Sequence, residues 1–231
     1  MIQLPRSSFL DPEEPIYYYG LDLGQSHDHT ALCVLKKQGN PGHYAVIGLK
    51  RFPLGTSYIQ ITEYVLKRIE SPETHPCLLA LDATAVGAPI ADLLRKPVHR
   101  LIAVQIHGGD KVSEDRCYIR VPKRDLVATL QVLFQTKRLK IAAKLPEAQM
   151  LVEELMAFQV KISEAGHDSY GSWREGAHDD LALAVSLAAW SGERGILPKG
   201  MRKPRRCTGR KNLYSDEDDE TDSEDGLISV F

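Results

Sequence analysis

Aspartate residues stand at three points of the sequence where an apolar run begins or ends. Asp22 closes the first such run in the segment GLDLG, and Asp82 closes another in LALDATAVG. Asp179 and Asp180 open a third run in HDDLALA. Aspartate is unfavourable inside strands, so an apolar run that ends on a carboxylate indicates a functional reason for the carboxylate.

The chemistry available to clustered aspartates is cation binding. Carboxylates that lie together repel one another unless a cation neutralises them, and hard oxygen ligands select Mg²⁺ or Mn²⁺. Two such ions about 4 Å apart can hold the attacking and leaving oxygens of a phosphodiester. We therefore predict two divalent cations, Mg or Mn, held by Asp22, Asp82 and Asp180, with Asp179 as a further ligand.

Each aspartate also has an ordinary structural explanation. Asp22 is suited to a turn at the end of a strand, and Asp82 to capping a helix near Gly87. Asp179 is suited to the N-cap of the helix that follows it. Because Asp179 and Asp180 are adjacent, their side chains point in different directions; we favour Asp180 as the ligand and Asp179 as cap or second ligand.

Two accessory residues lie beside these aspartates. His178 precedes the acidic pair and could bind the metal, donate a proton to the leaving 3′ oxygen or contact a phosphate. A helix-end histidine satisfied by hydrogen bonds is the alternative. Asp28 could join the shell of the second metal, and a turn residue is the alternative there.

Four basic residues are candidates for contacts with an anionic partner. Lys123 and Arg124 open a predicted helix, where cations oppose the helix dipole. Arg174 lies just before the HDD segment, and guanidinium geometry matches a phosphate. Lys111 lies in the glycine-containing segment His107–Arg116, which we predict to be a mobile loop that borders a nucleic-acid groove. A solvated basic pair is the alternative for Lys123 and Arg124.

Apolar periodicity predicts the elements that must position these residues. The predicted strands are Ile16–Leu23, His29–Lys36, His43–Phe52, Cys77–Leu81 and Leu101–Ile106. The predicted helices are Ser57–Ile69, Gly87–Leu94, Lys123–Lys137, Glu147–Phe158 and Asp180–Trp190. Short turns make the first three strands an antiparallel meander, and later crossovers require parallel pairing. The prediction is an α/β fold, a ribonuclease H-like mixed sheet flanked by helices, which brings Asp22 and Asp82 to one edge if their strands are adjacent.

The termini differ in composition from the centre of the chain. Residues 1–15, with three prolines, are predicted to be an N-terminal arm, and residues 16–195 the folded domain. Residues 196–231 are predicted to be a disordered tail. Seven basic residues between Lys199 and Lys211 precede eight acidic ones between Asp216 and Asp225, so the tail could bind phosphates without sequence preference, or could simply be solvated.

The bulk composition excludes several classes of protein. The chain has 231 residues, 43% hydrophobic and 26% charged, with a net charge of −2. No apolar run approaches the roughly 20 residues of a membrane span, and the N-terminus resembles no signal peptide. The four cysteines form no CxxC pair, so neither a zinc site nor a thioredoxin motif is indicated. We expect a reducing, cytoplasmic location.

Four segments resemble the nuclease domain of phage terminase large subunits: GLDLG, LDATAVGAPIADLL, VPKRDLV and REGAHDDLALAVSLA. The resemblance runs from about Tyr19 to Trp190. It implies a ribonuclease H-like fold, two-metal cleavage of double-stranded DNA during genome packaging, and an acidic triad of Asp22, Asp82 and Asp180, with Asp179 as the competitor.

The resemblance also implies partners for the chain. These are double-stranded DNA, a separate packaging ATPase, and the small terminase subunit or portal. Packaging terminases carry an ATPase domain before the nuclease, and no G-x-x-x-x-G-K-[ST] segment occurs in this sequence. We therefore expect either a motor on a separate chain or a free-standing nuclease.

Other functions remain open at this point. A Holliday-junction resolvase or a ribonuclease H also uses clustered carboxylates on this fold. GLDLG resembles the first phosphate loop of actin-like ATPases as well, although the HDD helix has no place in that fold. A non-catalytic DNA-packaging adaptor, in which the aspartates are structural, is the third alternative.

Overall fold

The structure, a computed structural model, describes residues 14–24, 28–164 and 179–195, with only the backbone for 157–164. The predicted N-terminal arm, except Glu14 and Pro15, and the predicted charged tail lie outside the described residues. Arg174 and His178 lie outside them too. The proposed domain boundaries and the role of the tail therefore stay predictions.

The described segments form one mixed sheet and five α-helices. The strands are β1 Ile16–Asp22, β2 Ala31–Gln38, β3 His43–Arg51, β4 Cys77–Asp82, β5 Leu101–His107, β6 Ser113–Glu114, β7 Ile119–Pro122 and β8 Leu139–Ile141. The helices are α1 Tyr58–Ile69, α2 Gly87–Leu94, α3 Lys123–Gln135, α4 Ala148–Glu164 and α5 Asp180–Glu193. A short 3₁₀ turn, Pro72–Thr74, precedes β4.

The strand order across the sheet is β6-β7-β5-β4-β1-β2-β3-β8. Strands β1, β2 and β3 form the predicted antiparallel meander. Strand β1 then pairs in parallel with β4, β4 with β5, and β5 with β7. The prediction of a ribonuclease H-like sheet, antiparallel first and parallel afterwards, is confirmed.

Helices cover both faces of the sheet, and each face has its own apolar core. Helices α1 and α2 pack against one face through residues such as Ile61 and Leu94. Helices α3, α4 and α5 pack against the other through residues such as Leu126 and Leu151. Helix α5 is buried from Asp180 to Gly192, as its apolar sequence predicted. This helix therefore lies in the core and its position is closely constrained.

A local sequence signal explains where helix α1 begins. Ser57 caps α1 by accepting a hydrogen bond from the backbone N–H of Gln60, whose side chain in turn bonds the backbone N–H of Ser57. This reciprocal capping box satisfies two N–H groups that have no partner inside the helix. The predicted start of this helix therefore agrees with the observed one.

Three short strands were not predicted from the sequence. The segment His107–Arg116, predicted to be a loop, contains β6, which pairs with β7 through Ser113 and Glu114. Strands β6, β7 and β8 have two, four and three residues. An alternating pattern is not detectable over so few residues.

Cys33 and Cys77 are buried free thiols. Within the described residues, no helix is both long enough and apolar enough to cross a membrane.

Candidate active site

Two of the predicted aspartates meet at one edge of the sheet. Strands β1 and β4 are adjacent and parallel, with Leu21 opposite Leu81, so Asp22 and Asp82 end neighbouring strands at the same edge. Asp22 is buried, and Asp82 is half-buried. The Oδ1 atom of Asp82 accepts a hydrogen bond of 2.8 Å from the backbone N–H of Thr84. Asp82 thus shapes the turn after β4, whereas the cap position of α2 is occupied by Val86.

Helix α5 brings the other two aspartates to this edge. The helix packs very closely on β1, because a Cβ atom added at Gly20 would lie 1.9 Å from the backbone oxygen of Ala184. Asp180, the first helical residue, is buried. Asp179 occupies the N-cap position, but its side chain makes no capping hydrogen bond. Asp179 therefore stands at the predicted N-cap position, without a capping hydrogen bond from its side chain.

The four carboxylates interact electrostatically. The pKa of Asp22 lies well above its usual range, chiefly because burial penalises the charged form. The charges of Asp82, Asp180 and Asp179 raise this pKa further, in that order, and the charge of Lys123 lowers it. The sequence-predicted carboxylates therefore form one cluster around Asp22.

Two basic side chains neutralise part of the cluster. The Nη2 atom of Arg51 lies 3.1 Å from Oδ2 of Asp180, and the Nζ atom of Lys123 lies 3.2 Å from Oδ2 of Asp179. All four side chains are mostly buried. Lys123 was predicted to contact nucleic acid, whereas Arg51 was not identified from the sequence.

The ligand atoms of the carboxylate cluster suit a hard divalent cation, but the side chains are not positioned around a single ion. Its ligand atoms are carboxylate oxygens, and its charges repel one another, which are the properties that favour Mg²⁺ or Mn²⁺. In the described part of the chain, however, no group of three or more His, Cys, Asp or Glu side chains is arranged to hold an ion. Asp180 and Asp179 are instead paired with Arg51 and Lys123. The carboxylate oxygens are therefore suitable ligands, and Asp180 and Asp179 would have to move away from Arg51 and Lys123 to bind an ion together with Asp22 and Asp82.

Glu154 is a residue of this site that was not predicted from the sequence. Its Oε2 atom accepts a hydrogen bond of 2.9 Å from the backbone N–H of Ala182, in the first turn of α5. Its Oε1 atom is buried without a hydrogen-bond partner. Burial raises the pKa of Glu154 to about 7, Asp180 raises it too, and the bond from Ala182 opposes the shift. The sequence feature that could have identified Glu154 is its position on the apolar stripe of α4, next to Leu155.

The remaining predicted residues are exposed, are paired elsewhere, or lie outside the described chain. Asp28 is exposed. Lys111 is exposed. Arg124 forms an ion pair with Asp110. Their predicted roles, like those of His178 and Arg174, stay predictions.

A surface cavity of about 400 Å³ lies at the other end of α5. Its lining comes from α3 and the C-terminal end of α5, and includes Asp125, Trp190 and Arg194. Trp190 lies ten positions after Asp180, which corresponds to about 15 Å along the helix. This cavity is therefore separate from the carboxylate cluster.

Comparison with solved structures places this architecture among known folds. The large terminase nuclease from the thermophilic phage G20c superimposes with a TM-score of 0.51 at 17% identity, covering 76% of this chain and 81% of that one. The fold is that of the large terminase nucleases. The large terminase from another thermophilic bacteriophage gives the same TM-score at 14% identity, covering 79% of this chain and 39% of its own.

The likeness is one of structure rather than of sequence. No protein-family model matches the chain. No curated protein matches it either. At 14% and 17% identity, the comparison with the terminase structures concerns the fold. The site must therefore be argued from this chain's own residues.

Proposed function

We propose that the protein is a metal-dependent endonuclease that hydrolyses phosphodiester bonds of double-stranded DNA. The observation that supports this most is the meeting of Asp22, Asp82 and Asp180 at one sheet edge, with the pKa of Asp22 raised by burial and by its acidic neighbours. A buried cluster of like charges is unfavourable unless cations neutralise it. The terminase-nuclease fold supports the same function.

In this mechanism the chain holds the cations and orients the substrate. Asp22, Asp82 and Asp180 are the proposed ligands, with Asp179 as an additional or competing one. When bound there, two Mg²⁺ or Mn²⁺ ions would lower the pKa of the attacking water and would stabilise negative charge on the leaving 3′ oxygen. No protein nucleophile is required. Lys111, Lys123, Arg124 and Arg174 are the proposed contacts to the DNA backbone, with His178 and Asp28 as accessory residues.

The biological setting is proposed from the fold comparison. The structures with the same fold are a large terminase nuclease and a large terminase of two phages. We infer that the chain cleaves DNA during phage genome packaging in the host cytoplasm. Its expected partners are a packaging ATPase, a small terminase subunit or a portal.

A plasmid assay tests the catalytic part of this proposal. Supercoiled DNA is incubated with purified protein and Mg²⁺, Mn²⁺ or EDTA, alongside Asp82→Asn and the control Asp92→Asn. Asp92 is an exposed aspartate of α2 that pairs with Arg95, the residue after the end of that helix. We expect nicking and linearisation that require the metal, vanish in Asp82→Asn and persist in Asp92→Asn.

The same assay separates the alternatives. Preferred cleavage of a four-way junction would indicate a resolvase, and preferred cleavage of an RNA–DNA hybrid would indicate a ribonuclease H. Cleavage that survives Asp82→Asn would contradict the proposed site. Folded protein that binds DNA but cuts no substrate with any metal would favour a non-catalytic packaging adaptor.

A further inference from the structure

Two cations flank the carboxylate cluster on opposite sides. Arg51 is the last residue of β3 and lies in register with Ala31, which in turn lies opposite Asp22. Lys123 begins α3 directly after β7, which lies beyond β4 and β5 on the other side of β1. The order along this edge is therefore Arg51, the carboxylates, and Lys123.

Both cations are held by carboxylates that the proposed function needs for the metal. Arg51 is paired with Asp180 at 3.1 Å, and Lys123 with Asp179 at 3.2 Å. The Arg51 side chain is only 15% exposed, and its Nε atom is buried without an acceptor. A buried donor without an acceptor is unfavourable. Arg51 donates from Nη2 to Asp180 and from Nη1 to the Met150 sulfur, so Nε is the donor that lacks an acceptor. Its planar fork is suited to binding a phosphate through two hydrogen bonds.

We propose that Arg51 and Lys123 are a phosphate-binding pair that changes partners when the metal binds. In the structure, Asp180 and Asp179 hold them. When divalent cations take these carboxylates, Arg51 and Lys123 are released to contact DNA phosphates on the two sides of the cluster. This inference rests on the proposed nuclease function, and it assigns to Arg51 a role that the sequence did not indicate.

A simpler role for the two cations predicts the opposite effect on metal binding. If Arg51 only orients Asp180 as a ligand, removing it should weaken metal binding about 10- to 100-fold, as is typical for residues that support metal ligands. If Arg51 instead competes with the metal for Asp180, removing it should tighten metal binding. The sign of the change therefore separates the two roles.

The first experiment measures Mn²⁺ binding without DNA, by calorimetry, in the wild type, Arg51→Met and the control Lys50→Met. Lys50 precedes Arg51 on β3, and successive strand side chains point to opposite faces. We expect a lower Mn²⁺ dissociation constant in Arg51→Met and no change in Lys50→Met. Weaker binding in Arg51→Met would overturn the exchange. Circular dichroism verifies that each variant is folded, and Arg51→Lys, which retains the charge, provides a second test at the same position.

The second experiment measures duplex binding by fluorescence anisotropy over a range of KCl, with Ca²⁺ or with EDTA. Each phosphate contact adds about 0.9 to the slope of log affinity against log salt. We expect the wild-type slope to be steeper with Ca²⁺ than with EDTA by about 1.8 for two contacts. Arg51→Met and Lys123→Met should each remove about half of that difference, and Lys50→Met none.

The outcomes distinguish this inference from the proposed function. Equal slopes with Ca²⁺ and EDTA, in a protein that binds Mn²⁺ and cleaves plasmid, would overturn the exchange alone. A folded wild type that binds no divalent cation would overturn both the exchange and the nuclease. Arg51→Lys should retain most of the slope difference, because it keeps the positive charge.

Discussion

Replacing Glu154 by glutamine should change how the stability of the metal-free protein depends on pH. Glu154 is 7% exposed, and its Oε2 atom accepts a hydrogen bond from the Ala182 N–H while Oε1 has no partner. Burial raises its pKa to about 7. Glutamine keeps an oxygen that can accept from Ala182, but it cannot become charged. The substitution therefore isolates the cost of the buried negative charge.

The magnitude follows from the difference between the folded and unfolded pKa values. Raising the pKa from 4.5 to about 7 corresponds to about 3 kcal/mol, since one unit is worth about 1.4 kcal/mol. The folded state binds the proton more tightly than the unfolded state does. No penalty is therefore present below pH 4.5; it develops as the pH rises, and is complete above about pH 7. Wild-type stability should fall over this window by about 3 kcal/mol more than that of Glu154→Gln.

Urea unfolding in EDTA at pH 5 and pH 8 measures this difference. Other groups titrate in both proteins, so their contributions cancel when the two free energies of unfolding are subtracted. Glu153→Gln is the matched control, because Glu153 is the neighbouring glutamate and is exposed. A wild-type-minus-variant difference that stays constant between pH 5 and pH 8 would refute the reasoning, since Glu154 would then titrate normally in the folded protein.

Two further predictions concern the carboxylate cluster and the helix that builds it. Asp22→Asn should raise the free energy of unfolding in EDTA at neutral pH, because burial and its acidic neighbours disfavour the charge of Asp22, and it should abolish plasmid cleavage. A midpoint of thermal unfolding that is unchanged or lower in Asp22→Asn would contradict the proposed repulsion between the carboxylates. Gly20→Ala should place a Cβ atom 1.9 Å from the Ala184 oxygen and so displace α5. The free energy of unfolding should fall by about 3 kcal/mol, the upper end of the range for overpacking, and cleavage should be reduced. Gly48→Ala, whose nearest contact would be a Val34 side chain at 3.1 Å, is the control and should cost less; equal losses in both variants would argue against the close approach.

Patterns within short stretches of sequence predicted most of the fold. The capping box at Ser57 marks the start of α1, and the all-round apolar sequence after Asp180 predicts a buried helix. These signals are local, because capping and amphipathic periodicity involve residues within a few positions of one another. Strands β6 and β8 were not predicted, because two or three residues are too few to show an alternating pattern.

The positions of the aspartates could also be predicted, but only through the topology. Asp22 and Asp82 end apolar runs, and crossover connections require parallel strands, whose ends lie at the same edge. That β1 and β4 are neighbours is a property of the assembled sheet. When β1 and β4 are neighbours and parallel, Asp22 and Asp82 necessarily lie at the same edge of the sheet.

The sequence by itself determined the five helices, the five longer strands, their order and the acidic residues at their ends. Only the tertiary structure decided which charges neutralise these residues. Arg51 meets Asp180 across 129 positions of sequence, and Glu154 meets Ala182 across 28. Such partners are chosen by how α4 and α5 pack on the sheet, and a pairing across the core leaves no regular spacing in the sequence. The balance of charge at the site is therefore a property of packing, whereas the carboxylates themselves are visible in the sequence.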